Sequence, residues 1–141
     1  MPELDTARLL RRVTNEIWCE RRYEVVDELI SEHFVDHVEM PGLVGSGRAR
    51  YLNSVRLIHD GFSDYHEEIE FVVADEDKAV SYVRITGTHD GDLMGLPPTG
   101  HRIDIRSIGI LRFADGQVIE RWGIGDSLAQ MQQLGVLGEP K

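Results

Sequence analysis

Residues 101–126 read HRIDIRSIGILRFADGQVIERWGIGD. From His101 to Phe113 apolar residues alternate with polar or small ones, the two-residue period of a strand with two distinct faces. Ala114-Asp115-Gly116-Gln117 then offers an Asp-Gly pair, which accepts the positive φ angles of a tight hairpin turn, and Val118 to Gly125 reads as the returning strand. Two further strands precede this hairpin. In His66 to Ala74 the residues Ile69, Phe71 and Val73 alternate with Glu68, Glu70 and Val72, and Asp75-Glu76-Asp77-Lys78 is a polar turn into Ala79 to His89. Successive strands joined by turns, with no βαβ alternation, indicate an antiparallel meander.

The N-terminal half has the other period. From Leu4 to about Arg21, Ala7, Leu10, Val13, Thr14, Ile17 and Trp18 recur at helical spacing, and Tyr23, Val26, Leu29 and Ile30 form a shorter helical pattern. Phe34 to Val38 reads as extended, and Pro41 to Gly47 as a loop. Ser46 or Gly47 is placed to cap a third helix built on Tyr51, Val55, Ile58 and Phe62. A last helix, Ser127 to Leu134, ends at Gly135. Helices segregated from an antiparallel sheet make an α+β fold, expected as a single domain over residues 1–141, in which a curved sheet and its helices enclose an apolar pocket.

Lys and Arg number 15 against 25 Asp and Glu, and the net charge of −10 disfavours nucleic acid and anionic membrane surfaces as partners. No apolar run reaches the roughly 20 residues of a membrane span, and the N-terminus lacks the apolar core of a signal peptide, so a cytoplasmic location is expected. The lone Cys19 has no intramolecular disulfide partner and reads as a half-buried helix residue.

In Arg121-Trp122-Gly123-Ile124-Gly125-Asp126, strand alternation puts Asp126 on the face of Trp122 and Ile124. If that face lines the pocket, desolvation raises the carboxyl pKa toward the range of a neutral-pH acid/base. Asp126 also stands just before Ser127-Leu128-Ala129, where aspartate is a favoured helix N-cap, and one residue can serve both roles. His89, at the end of the preceding apolar strand, is a candidate to orient a carboxylate or carbonyl, or a strand-end histidine bonded to backbone. His37, His89 and Asp126 together would imitate a two-histidine, one-carboxylate metal site, but no compact ligand motif supports it and no metal is expected. Arg84, Asp104 and Arg106 read as a solvated sheet face, and His59, His66 and His101 as exposed. No glycine-rich phosphate loop, nucleophile elbow or nucleotide fingerprint is present, and no cofactor is expected.

The run Gly87-Thr88-His89-Asp90-Gly91-Asp92-Leu93-Met94-Gly95-Leu96-Pro97-Pro98-Thr99-Gly100 resembles the signature loop of the SnoaL-like polyketide cyclases. Phe113-Ala114-Asp115-Gly116-Gln117-Val118-Ile119-Glu120-Arg121-Trp122, then Asp126 and Gln132-Gln133-Leu134-Gly135, is similar to that family's C-terminal half, and Asp36-His37 with Pro41-Gly42 to its N-terminal half. The resemblance implies an NTF2-like cone, assembled as homodimers or homotetramers through the sheet. It also implies a small-molecule substrate and ring closure by intramolecular aldol condensation of a polyketide-like carbonyl compound, without metal or cofactor. Its acid/base aspartate matches Asp126, with His89 as a second catalytic group and His37 as a pocket polar group. Trp18, Met40, Tyr51, Val55, Ile58, Met94, Leu96 and Trp122 are the expected lining. Two alternatives use the same pocket: a non-catalytic binding protein for a small apolar or aromatic ligand, and an isomerase or hydrolase with a second ionisable group beside Asp126.

Overall fold

A computed structural model of the chain describes residues 3–137. Helix α1, Asp5–Arg12, continues without a break into a π-helical segment, Val13–Cys19. A 3-10 turn, Tyr23–Val25, leads through the short α2, Val26–Leu29, into strand β1, Ile30–Asp36. Helix α3 spans Gly47–Gly61, with Ser46 in extended conformation at its N-cap. The remaining strands are β2, His66–Ala74, β3, Lys78–Thr88, β4, Arg102–Ala114, and β5, Gln117–Gly125, and α4 spans Ser127–Leu134. These bounds follow the sequence pattern closely except at β1, where Ile30, read as helical, already opens the strand that the pattern began at Phe34. At the β4–β5 turn both Asp115 (φ 53°) and Gly116 (φ 76°) are left-handed, as an Asp-Gly hairpin requires.

The strands form one sheet in the order β1-β5-β4-β3-β2. Four of them make the expected antiparallel meander, whereas β1 joins the far edge parallel to β5. The helical half can reach that edge because α2 ends where β1 begins, so the chain enters the sheet from the helical layer.

The inward face is set by register. Ser81, Val83 and Ile85 of β3 stand opposite Gly109, Ser107 and Ile105 of β4, and Ser107, Gly109 and Leu111 stand opposite Gly125, Gly123 and Arg121 of β5. This corrects the face assignment made from spacing: the inward residues near the end of β5 are Arg121, Gly123 and Gly125, while Trp122 and Ile124 pair with Ile110 and Ile108 on the opposite face. Ile124 is 81% exposed. The expectation failed because one strand's alternation gives two faces without saying which is inside, and glycines carry no apolar signal.

A second shift lies in β2. Glu67 pairs with Ile85 and Ile69 with Val83, but beyond a bulge Phe71 pairs with Tyr82 and Val72 with Ser81. The extra residue reverses the phase, so Ile69 and Val72 face inward and Phe71, 54% exposed, faces out. The core is formed by Leu10, Val13 and Ile17 from the first helical rod, Leu29 and Ile30 after it, Tyr51 and Val55 of α3, and the inward sheet residues.

Candidate active site

Between the first helical rod and the concave sheet face lies a cavity of about 250 Å³. Leu10, Val13, Thr14 and Trp18 close one side, and Val83, Ile85, Ile105 and Leu111 form most of the opposite wall. The π-helical winding of 13–19 buries Val13, Thr14, Ile17 and Trp18 along one surface of the rod; such local unwinding often accompanies a functional site. Gly109, Gly123 and Gly125 border the cavity where side chains would otherwise fill it.

Within this apolar wall the polar groups are few. Glu67 is the single carboxylate and Arg121 the single cation among the described residues that border the cavity. Tyr65 Oη donates to Glu67 Oε2 at 2.7 Å, and Oε1 has no hydrogen-bond partner among the described residues. Burial pushes the Glu67 carboxyl up to about 7, although the Tyr65 hydrogen bond and the charge of Arg121 both pull it down. A carboxyl in that range exchanges a proton readily at neutral pH. The Cys19 thiol donates to the Glu67 carbonyl oxygen at 3.3 Å and is held protonated by burial, which makes it a packing group, as expected.

Arg121 is built into a rigid mount. Its Nε and Nη2 reach the two carboxylate oxygens of Asp36, whose side chain is 0% exposed, and Nη2 also donates to Ser54 Oγ at 3.3 Å. Its guanidinium lies 4.9 Å from the Tyr51 ring centre and 5.7 Å from that of Phe34. Tyr51 accepts from Trp18 Nε1 at 2.8 Å. Trp18 is fixed in turn, since His59 Nε2 donates to its carbonyl oxygen at 2.8 Å while His59 Nδ1 accepts from Tyr23 Oη at 2.6 Å. His59 is therefore buried and held neutral by desolvation, not exposed as its polar neighbours suggested. His66 and His101 are exposed as expected.

Of the residues expected to line the pocket, Trp18, Met40, Tyr51 and Ile58 border the cavity, and Trp122 touches it too, although its ring lies on the outer face of β5 against His37. Val55, Met94 and Leu96 do not: Val55 is sealed in the core, and Met94 and Leu96 pack against the core from the loop after β3. Asp126 is an exposed N-cap whose Oδ1 accepts from Ala129 N at 3.1 Å, and it lies outside the residues that border the cavity. No second ionisable group is bonded to it among the described residues, which removes the pair an isomerase or hydrolase centred there would need.

His89 is fully buried but does not border the cavity; it packs instead against Phe62, whose ring centre lies 5.8 Å away. Its Nδ1 accepts from Thr99 N at 3.2 Å, and its backbone pairs with His101 and Gly100, so it pins the signature loop. His37 stacks on Trp122 with ring centres 5.0 Å apart and bonds Glu120 Oε2 at 2.6 Å on the outside of β5. Its chain neighbour Asp36 is the one turned inward. Arg84, Asp104 and Arg106 are exposed and paired with one another, as a solvated sheet face requires.

Glu67, Tyr65, Asp36 and Arg121 are functional candidates that pattern reading passed over. A signal for Glu67 was present: Tyr65-x-Glu67-x-Ile69 places an acid in register with two apolar residues.

This cone with its one-sided cavity has known counterparts. The family model of the SnoaL-like polyketide cyclases matches residues 8–134. The chain belongs to that family. It is 24% identical over 115 residues to nogalonic acid methyl ester cyclase of Streptomyces nogalater, an alignment covering 81% of this chain and 86% of that protein. A candidate polyketide cyclase from Acidithiobacillus ferrooxidans superposes with a TM-score of 0.81 at 27% identity, covering 98% of this chain and 99% of that one. TsrD from Streptomyces laurentii superposes with a TM-score of 0.84 at 21% identity, covering 97% and 99%. SnoaL-like residues accordingly occupy both halves of the cone described above.

Proposed function

We propose that this SnoaL-like protein is a cofactor-independent cyclase that closes a ring in a small polyketide-like carbonyl compound by intramolecular aldol condensation, with Glu67 as the acid/base. The observation that carries the reading is a lone carboxyl, pushed up to about 7, inside an otherwise largely apolar cavity. Glu67 Oε1 takes a proton from a carbon flanked by carbonyls, and the C–H electron pair becomes an enolate. The enolate carbon attacks a second carbonyl of the same molecule, and the displaced π pair becomes an alkoxide that recovers the proton from Glu67. Proton, electrons and atoms balance with no co-reactant. The walls contribute by holding a flexible chain folded with its reacting carbons close. Family likeness favours Asp126 for this role, but its exposed capping position favours Glu67.

Exchange of the acidic C–H of a pocket-sized β-keto ester with deuterium oxide, followed by proton NMR, tests the first half of the reaction without knowledge of the natural substrate. The wild type is expected to accelerate exchange, Glu67→Gln to lose about 10²-fold or more, and Asp126→Asn to retain most of it. Full exchange in Glu67→Gln, or its loss in Asp126→Asn, would return the role to Asp126.

The outer sheet face supports self-association as part of this reading. Phe71, Val73, Ile108 and Ile124 are exposed there, and Leu128 and Met131 of α4 are exposed apolar residues as well. These apolar residues share the outer face with the solvated Arg84, Asp104 and Arg106, and a second copy of this chain is the partner proposed to cover them.

A further inference from the structure

Glu67 supplies a base, but a base alone leaves the enolate oxygen unmatched inside a largely apolar wall. Resting on the reading of Glu67 given above, we infer that Arg121 Nη1, on the cavity wall it shares with Tyr51, is the seat for that oxygen, and that Asp36 is a positioning residue which aims the guanidinium at it. The ligand class implied is a planar oxyanion conjugated to a carbonyl or an aromatic ring.

Three observations support this assignment. Arg121 spends Nε and Nη2 on Asp36 and Ser54, and no partner of Nη1 exists among the described residues. The one side-chain polar atom sealed in protein without a partner, among those residues, is His89 Nε2. Arg121 Nη1 is therefore not sealed, and because Arg121 borders the cavity, its two N–H bonds are available to an occupant. Second, Tyr51 uses its oxygen to accept from Trp18 Nε1 and has no acceptor for its own proton among the described residues, so a second donor borders the same cavity. Third, the guanidinium cannot swing away: a buried carboxylate holds two of its nitrogens and aromatic rings flank it at 4.9 and 5.7 Å. Donors fixed before charge develops need no reorganisation at the moment of reaction, which is the condition for strong oxyanion stabilisation.

The charge balance has the right sense. Asp36 is shared between Arg121 and Arg50, whose Nε lies 3.6 Å from its Oδ2, so it offsets only part of the Arg121 charge, and in the resting cavity the ionised Glu67 faces that residual positive charge. Once Glu67 has taken the proton, the negative charge has moved from its carboxylate to the enolate, and the Arg121 guanidinium is the cation that borders the cavity.

The probe is 4-nitrophenol, a planar oxyanion whose ionised form absorbs in the visible and which requires no turnover. Glu67→Gln imitates the protonated acid, and this variant is expected to bind the phenolate form at least tenfold more tightly than wild type at pH 8. Its bound ligand shows the phenolate band at pH values where the free ligand is largely phenol. Adding Arg121→Met removes both the band and the tenfold gain. Adding Asp36→Asn instead leaves the shape of the pair while deleting the opposing charge, and is expected to strengthen phenolate binding further. That opposite response separates an anion seat from a merely structural ion pair, and it keeps the test open if the Arg121 variant does not fold. Binding of the neutral phenol in Glu67→Gln, or a loss of phenolate affinity in the Asp36→Asn background, overturns the assignment. A failure here with deuterium exchange still lost in Glu67→Gln leaves the cyclase reading intact, whereas an Arg121-dependent phenolate band with exchange unchanged in Glu67→Gln overturns only the role of Glu67.

Discussion

Glu67 shows how one carboxyl ties chemistry to stability. Its pKa lies above the ordinary glutamate value in the folded chain and at that value in the unfolded one, so between about 4.5 and 7 the native state holds more of the proton. Stability contributed by the neutral form is thus complete at the acid end and is lost as pH rises through about 7. Urea denaturation is expected to show Glu67→Gln gaining on wild type from pH 5 to pH 8, by on the order of 3 kcal/mol at the alkaline end; a constant difference across that range would contradict the burial argument. Catalysis runs the other way, since the base must be ionised, and kcat/KM is expected to rise with pH along a limb near 7 that Glu67→Gln lacks. At Asp126 the sequence offered cap or base, and the hydrogen bond to Ala129 N establishes the cap. Asp126→Ala is expected to cost about 1 kcal/mol in thermal unfolding, with Asp126→Asn close to neutral. The cap was legible because it depends on neighbours in the chain. The Glu67–Tyr65 and Asp36–Arg121 pairs depend on a fold and a register, and Asp36 lies 85 residues from Arg121.

Among the elements, helices and strands were readable almost to the residue where the pattern is strong: α4 covers Ser127–Leu134 as the spacing indicated, and β4 and β5 meet at the Asp-Gly turn. What alternation did not disclose was phase. The bulge in β2 and the inward glycines of β5 each turn a face over, and neither leaves an apolar mark in the sequence. The parallel pairing of β1 was equally hidden, because a lone edge strand carries no turn signal to its partner. Gly109 offers a direct test of the cavity at this scale. A Cβ there would meet only Ser81 Oγ, at 3.7 Å, so Gly109→Val is expected to fold normally and to fill space that an occupant needs. Circular dichroism should match wild type while 4-nitrophenol affinity falls at least tenfold. By contrast, a Cβ at Gly91 would overlap the Asp60 carbonyl oxygen, and Gly91→Ala is expected to lower the melting temperature by several degrees as the signature loop is forced off α3.

At the scale of the whole molecule, a chain of net charge −10 exposes Phe71, Val73, Ile108 and Ile124 on the sheet face opposite the cavity. Pairing of two copies across that face predicts that Ile108→Glu with Ile124→Glu shifts sedimentation to the monomer while leaving the deuterium-exchange activity of each chain measurable. A monomeric wild type would refute the pairing. Among the described residues no helix is long and apolar enough to cross a membrane. The β2 bulge links this outer surface to the interior, since it lets one strand offer an acid to the cavity before Ile69 and an aromatic ring to the outside after it. Its consequence is historical as much as structural. Deleting one residue there would leave Ile69 opposite Val83 and Phe71 opposite Tyr82, whereas straightening the strand at full length would set Glu70 opposite Val83 and Glu68 opposite Ile85, so a relative that loses the bulge but no residue exchanges the acid it offers to the cavity while every other strand keeps its place.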